Sequence, residues 1–572
     1  MEFSAPTFNS RPEDSSTGDS LGLGAVTERL YGEAFAGINN AVWYVRPYAA
    51  LCWMVDQLDI IKDGQRKVTV REINEWRHRL ELGLGKMELL MMWLATLQGV
   101  QGLPGKSRFK EERSKASLRM SDYRVKTRFL ESAWYAPSLF DGLDLLDASS
   151  EYEKTYCCTK AGKELAKAYD ARVRKLPTPF QKWLLDLSPA GLSCTSRRVW
   201  ELQSVLSLES PPSAGERKAF FEQFSTNSAR RPSIRLALDA LFVLEQQELP
   251  TTVDDIRLAM AAGRTPDGSV LVEPGQADEV RDSAQLRWSV LQLRLLHRLA
   301  LEALLGVVER YLYATEVSPV LPRSKFDVTC AVSDCVHAPQ AGAKAVPPLQ
   351  LTVELTLEWM RKKQGGAPTL QAAGIGNPEG YLHLGHLKDR LRAGLSNGLS
   401  EKAQKDWTLT CRYALWALLY CAVEVDNLSC RMDASNLLAL DEGKLPLLEL
   451  RNLVHRHRDS PLEELTRQIV RKHVIDQHLY VATSRTAQAG DGRNRFVFQP
   501  EGTNLDRWND GLSTDFLPLR EGGDVLYSVL RLLADCGMVE YQFDKPAQFN
   551  TRFRLTRRGR EWCRTAGGYL GD

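Results

Sequence analysis

The segment Leu450-Arg451-Asn452-Leu453-Val454-His455-Arg456-His457 places a guanidinium and an imidazole within a few residues of each other. An imidazole can pass a proton to or from a ribose hydroxyl, and a guanidinium can hold charge building on a phosphate. Arg467 and His473 repeat the spacing. Cys330, Cys335 and His337 are zinc-type ligands, but no fourth ligand stands near, so buried thiols are expected instead. Gly102-Leu103-Pro104-Gly105-Lys106-Ser107 has the ending of a phosphate cradle. Val100, however, occupies the position of its first glycine, and a highly charged stretch follows, so nucleotide hydrolysis is not expected. Asp441-Glu442 with Lys444 lacks the upstream aspartate of a metal-dependent nuclease. Neither a Gly-x-Ser-x-Gly elbow nor a His-Glu-x-x-His helix is present. The expectation is no metal and no cofactor.

Two of these texts bear resemblances. Arg451, its polar neighbour Asn452 and His457 resemble the HEPN ribonuclease motif. That family brings Arg and His together across a helical dimer. The resemblance implies Arg451 and His457 as catalytic candidates, so a ribonuclease is the alternative function. Gly376-Asn-Pro-Glu-Gly-Tyr-Leu-His383-Leu-Gly385-His386 resembles the nucleotide signature of class I aminoacyl-tRNA synthetases. Here it lies behind a Gly/Pro-rich stretch without a βα array, and the second, Lys-rich signature is missing. No nucleotide site is expected from it.

These residues need elements to hold them, and the composition says which kind. With 43% apolar and 26% charged residues the chain is a globular protein, not a fibrous or wholly disordered one. Its 572 residues exceed one ordinary domain, and about 150 residues per domain gives three or four units. Residues 1–24 read as a disordered tail without the apolar stretch of a signal peptide. The region 25–174 reads as helices closing in a small strand-bearing unit. Next comes a helical domain, 175–317, whose clearest element is a long helix over 278–312. On that helix Arg287, Arg294 and Arg298 share a face, read as a solvated stripe. Residues 318–400 alternate apolar and polar at 326–332 and 349–357, which predicts strands in an insert or linker. Helices return over 401–482, and 483–572 mixes strands and helices. The expected fold class is mainly α with small β elements. The eleven scattered cysteines and the absence of a long apolar run predict a cytoplasmic protein with no membrane partner.

One text occurs at both ends. Phe140 to Leu146 is followed, after a charged stretch, by Tyr156-Cys-Cys-Thr159-Lys-Ala-Gly162. Leu532 to Tyr541 is followed, after a polar loop, by Phe553-Arg-Leu-Thr556-Arg-Arg-Gly559. Each predicts helix, glycine-type turn, strand, strand, and a helix capped by Thr. The pattern resembles the winged helix-turn-helix superfamily over some eighty residues at each end. That resemblance implies either a recognition helix in DNA with basic wing residues on phosphate, or a protein-docking module.

Charge refines the expectation. Net charge is +2, which argues against a uniformly basic nucleic-acid protein. Yet Lys106, Arg108, Lys110, Arg113, Lys115, Arg119, Arg124, Lys126 and Arg128 stand among three acids, a run of +6. Arg552, Arg554, Arg557 and Arg558 belong to a second run, 551–564, of +5; the rest of the chain carries −9. These thirteen residues are the DNA-binding candidates. The expected recognition helix of the second copy carries only Arg531, which favours docking there and DNA at the first copy. The resulting expectation is a non-enzymatic DNA-binding or protein-docking scaffold. Large helical chains with terminal winged helices resemble accessory subunits of bacterial anti-phage or mobile-element systems, with operon-encoded protein partners. A transcription regulator is a further alternative.

Overall fold

The computed structural model describes residues 19–59, 69–100, 102–103, 115–119, 135–148, 155–272, 279–317, 324–336, 352–362, 370–371, 373–395, 401–431, 433–440, 445–489, 495–507, 516, 519, 524–543 and 551–565. Among them the fold is mainly helical, and the strands form four two-stranded antiparallel sheets. All eleven cysteines are free, and no described helix is long and apolar enough to cross a membrane. The chain forms two compact units, each drawn from two stretches of sequence: 31–253 with 523–572, and 1–30 with 254–522.

In the first of these, α1 (Val45–Leu58) is apolar nearly all round and buries twelve of its fourteen residues, which makes it a core helix. The next helix, α2 (Val70–Gln98), begins with a Thr69–Glu72 capping box and stops where Gly99 turns left-handed at φ 76°. Strands β1 (Leu146–Ala148) and β2 (Tyr156–Cys158) pair and lead into α3 (Lys160–Val173). Helices α4 (Ala214–Thr226) and α5 (Arg231–Gln246) follow. Buried cations tie these elements together. Arg46 donates to the carbonyls of Ser204, Val205 and Ser210 and lies against buried Glu216. Arg230 donates to the carbonyls of Phe224 and Gly142, and Lys86 to those of Trp183 and Asp186. Carbonyls left over at helix ends need such donors, because a buried acceptor without one costs about 1–3 kcal/mol.

The second unit is organised on α6 (Glu279–Val317), 39 residues long, which buries residues such as Trp288, Leu296 and Val308 along its middle. Of the arginine stripe expected to be solvated, Arg294 is inside, and Arg287 and Arg298 are half-buried. Arg294 is 3% exposed and donates to the carbonyls of Leu440 and Leu445, while Arg298 pairs with Glu302 at 2.7 Å. Packing around the middle of the helix overrode the usual placement of arginine, and backbone carbonyls accept the hydrogen bonds of Arg294. Among the described residues, the segments of 318–400 expected as strands are helices instead: α7 (Lys325–Asp334) and α8 (Val353–Lys362). Val328 and Val332 are four apart and buried, whereas Phe326, which the alternation would have buried, is 70% exposed. Val353, Leu357 and Met360 likewise bury one helical face. A spacing of four satisfies both a strand and a helix, and here the helical set won. Helix α9 (Leu384–Gly394), α10 (Glu401–Leu428), which runs along α6, and α11 (Leu447–Arg456) complete the layer.

Returning to the first unit, α12 (Val525–Asp535) turns through Gly537 into β3 (Val539–Phe543). Strand β4 (Thr551–Leu555) pairs with it and leads to α13 (Arg557–Thr565).

Candidate functional site

The two repeated texts close with the same hydrogen bonds. The Thr159 N–H donates to the Leu145 carbonyl at 3.1 Å, and the Thr556 N–H to the Met538 carbonyl at 3.1 Å. Each Thr hydroxyl donates back across the turn, Thr159 to Asp144 and Thr556 to Gly537, and accepts from the glycine N–H three residues on. The glycine is needed because helix and turn approach closely. A Cβ at Gly162 would stand 1.9 Å from the Leu145 carbonyl oxygen, and at Gly559 2.1 Å from that of Met538. The turn residue has positive φ in both, Asp144 at 47° and Gly537 at 74°. What precedes the turn differs: a π-helical Ser138–Gly142 in one copy and α12 in the other.

The arginines of the second copy face acids of their own fold. Arg552 and Arg554 are exposed on β4, where Arg554 stands opposite Glu540. With Arg560 they line a cavity of about 520 Å³ shared with Glu245, Glu248 and Glu540. Glu245 accepts from Arg560 at 2.5 Å and from the Leu555 N–H. Arg557 pairs with Glu561 at 2.8 Å, and Arg558 donates to the Cys536 carbonyl. In addition, Val525 to Leu533 of α12 are all buried, Arg531 among them. In the first copy, Lys115 and Arg119 are exposed beside the short strand Ser117–Arg119, which pairs with Ser193–Thr195. Lys106, Arg108, Lys110, Arg113, Arg124, Lys126 and Arg128 lie outside the described residues.

Arg451 and His457 are held differently. Arg451 sits on α11 and donates through Nε to Asp426 at 2.7 Å; His455, one turn on, reaches the same carboxylate at 3.1 Å, and Arg361 joins at 3.2 Å. Burial pushes the Asp426 carboxyl up, but the hydrogen bonds from Arg451 and His455 outweigh it and hold it below the usual carboxylate range. His457 ends the helix, and its Nδ1 is shielded without a hydrogen-bond partner. At the repeated spacing Arg467 pairs with Glu463, and burial drives His473 down to about 4. In the segment 376–386, His383 caps α9, stacks on His386 at 4.0 Å and meets Asp255 at 3.1 Å. Cys330 and Cys335 fall on and just after α7, while His337 lies outside the described residues. Among the described residues no three His, Cys, Asp or Glu side chains converge as a metal site.

Two sites lay beyond reading from sequence. Glu424, two residues before Asp426, lines a cavity of about 230 Å³ with Arg264, Gln292 and Tyr381, and burial pushes its carboxyl up to about 7. Two acids two residues apart on one helix thus shift in opposite directions, Glu424 upward because burial dominates and Asp426 downward because Arg451 and His455 donate to it. Arg531 is the other: it is flanked by the rings of Tyr44 and Tyr541 in the wall of a cavity. Compared with protein-family models, curated proteins and solved structures, the chain matches none.

Proposed function

We propose that the chain is a non-enzymatic scaffold whose terminal strand-turn units are winged-helix-like modules. The C-terminal module docks protein, and any DNA contact belongs to the basic segment 106–128. The observation that carries this reading is the burial of α12. A helix whose residues 525–533 all face the core has no side left to enter a major groove. The balance of Arg552, Arg554 and Arg560 by Glu245, Glu248 and Glu540 supports the same reading, since phosphate binding needs a net positive surface. Arg451 already serves Asp426 together with His455, so nothing favours the ribonuclease alternative. In this reading the chain is an accessory subunit of a bacterial multi-component defence system, and a neighbouring nuclease, helicase or methylase gene would strengthen it.

Duplex binding followed by anisotropy across a salt series tests the division of labour. Lys/Arg→Ala changes at 106–128 are expected to flatten the salt slope, by about one unit per phosphate contact removed. Arg552→Ala with Arg554→Ala is expected to leave it unchanged. A slope that falls with the second pair instead would overturn the proposal.

A further inference from the structure

The unit containing α12 holds a cavity of about 900 Å³, within the range of small-molecule sites. Its walls are aromatic. Trp43 and Tyr44 come from the segment before α1, Tyr527 from α12, and Tyr541 and Phe543 from one face of β3. Gly102 lies so close to Trp43 that a Cβ would stand 1.7 Å from the ring. The guanidinium of Arg531 sits among them, 4.1 Å from the Tyr541 ring centre and 5.2 Å from that of Tyr44. It donates to the hydroxyls of Tyr527 at 3.3 Å and Tyr541 at 3.1 Å, while its Nε is buried without a partner. Arg217 enters from α4, and its Nε is also buried without a partner.

Two acids share the cavity. Asp535 accepts the Val45 N–H at 2.9 Å, and Glu209 stands exposed at the rim. Among the described residues neither guanidinium is held in an ion pair with them. Ring faces offset part of the cost of a buried cation, and a carboxylate or phosphate offsets more. The remaining lining is suited to a flat ligand. Tyr541 is 37% and Phe543 51% exposed, a large aromatic surface left open beside the two arginines.

We propose that this cavity binds a nucleotide, its base stacking on Tyr541 and Phe543 and its phosphate held by Arg531 and Arg217. Aromatic faces accept any base, and guanidinium donors suit phosphate oxygens. The same chemistry serves a free mononucleotide or the phosphorylated end of a single strand.

Calorimetric titration of the full chain tests this with AMP, adenosine, inorganic phosphate and a 5′-phosphorylated single-stranded oligonucleotide. AMP is expected to bind about tenfold or more tighter than adenosine or phosphate alone, because both halves contribute. Arg531→Met is expected to abolish binding. Because Arg531 is buried and that variant can fail to fold, Arg217→Met and Phe543→Ala decide the matter, each weakening AMP binding by about fivefold or more. Binding of the oligonucleotide but not AMP, with the same sensitivity, assigns the site to strand ends; binding of AMP assigns it to mononucleotides. No binding of either probe, equal binding of phosphate alone, or affinities unchanged in Arg217→Met and Phe543→Ala would overturn the proposal.

Discussion

The two strand-turn copies, 138–173 and 525–565, close identically and are seated differently. Thr159 and Thr556 make the same bonds to the same positions of the preceding turn, and Gly162 and Gly559 admit the same close approach. Around that shared clasp the environments diverge. In the first copy the strands are three residues long, and the Cys158 thiol donates to the Cys52 carbonyl of α1. In the second they are five residues long, and Leu555 donates to Glu245 of α5. The acid before the turn is exposed in one, Asp141, and half-buried in a cavity wall in the other, Asp535. A local motif therefore sets how the chain folds back, and the seat decides which side chains are left to work.

The largest effect should come from the clasp itself. Gly162→Ala and Gly559→Ala each drive a methyl group onto a backbone carbonyl, which cannot swing aside as a side chain can. Each should lower stability in denaturant titration by about 2–4 kcal/mol. A neutral result at one site would break the equivalence of the two copies.

Next is the half-buried acid. Burial raises the Asp535 carboxyl from 3.8 to about 6, so the folded state holds its proton more tightly than the unfolded chain does. Its contribution to stability is full below about pH 4 and is lost as pH rises through about 6. Asp535→Asn should therefore stabilise the protein at pH 7.5 by up to about 3 kcal/mol and remove the decline between these values. Asp141→Asn should do neither. Thermal unfolding across pH compares the two, and a matching response from both variants would erase the contrast in burial.

The smallest effect concerns the turn residue. Asp144→Gly relieves a left-handed φ of 47° and should be neutral or stabilising by some tenths of a kcal/mol, whereas Gly537→Ala at 74° should cost about 1 kcal/mol. Equal signs in calorimetric melts would mean that the turns are not held alike.

Much of this was legible in the residues. Thr-x-x-Gly after an aromatic strand announces a capped helix because its partners lie within about twenty residues along the chain. The long helix was readable from its apolar content, over 278–312 against an observed Glu279–Val317. Residues 326–332 were not, because Val328 and Val332 fit either period until Phe326 is seen outside. Arg294 misled for another reason: its acceptors, Leu440 and Leu445, are some 150 residues away.

By itself the sequence determined the mainly helical class, the strand-turn repeat and the uneven placement of charge, all properties of neighbours along the chain. Tertiary structure alone decided which charges are spent. It turned Arg294 toward carbonyls, set Arg552 and Arg554 beside glutamates, joined Arg451 and His455 on Asp426, and left Arg531 among rings in the wall of a cavity. A side chain's type states what it can donate or accept, but its partner is chosen by packing between elements far apart in sequence.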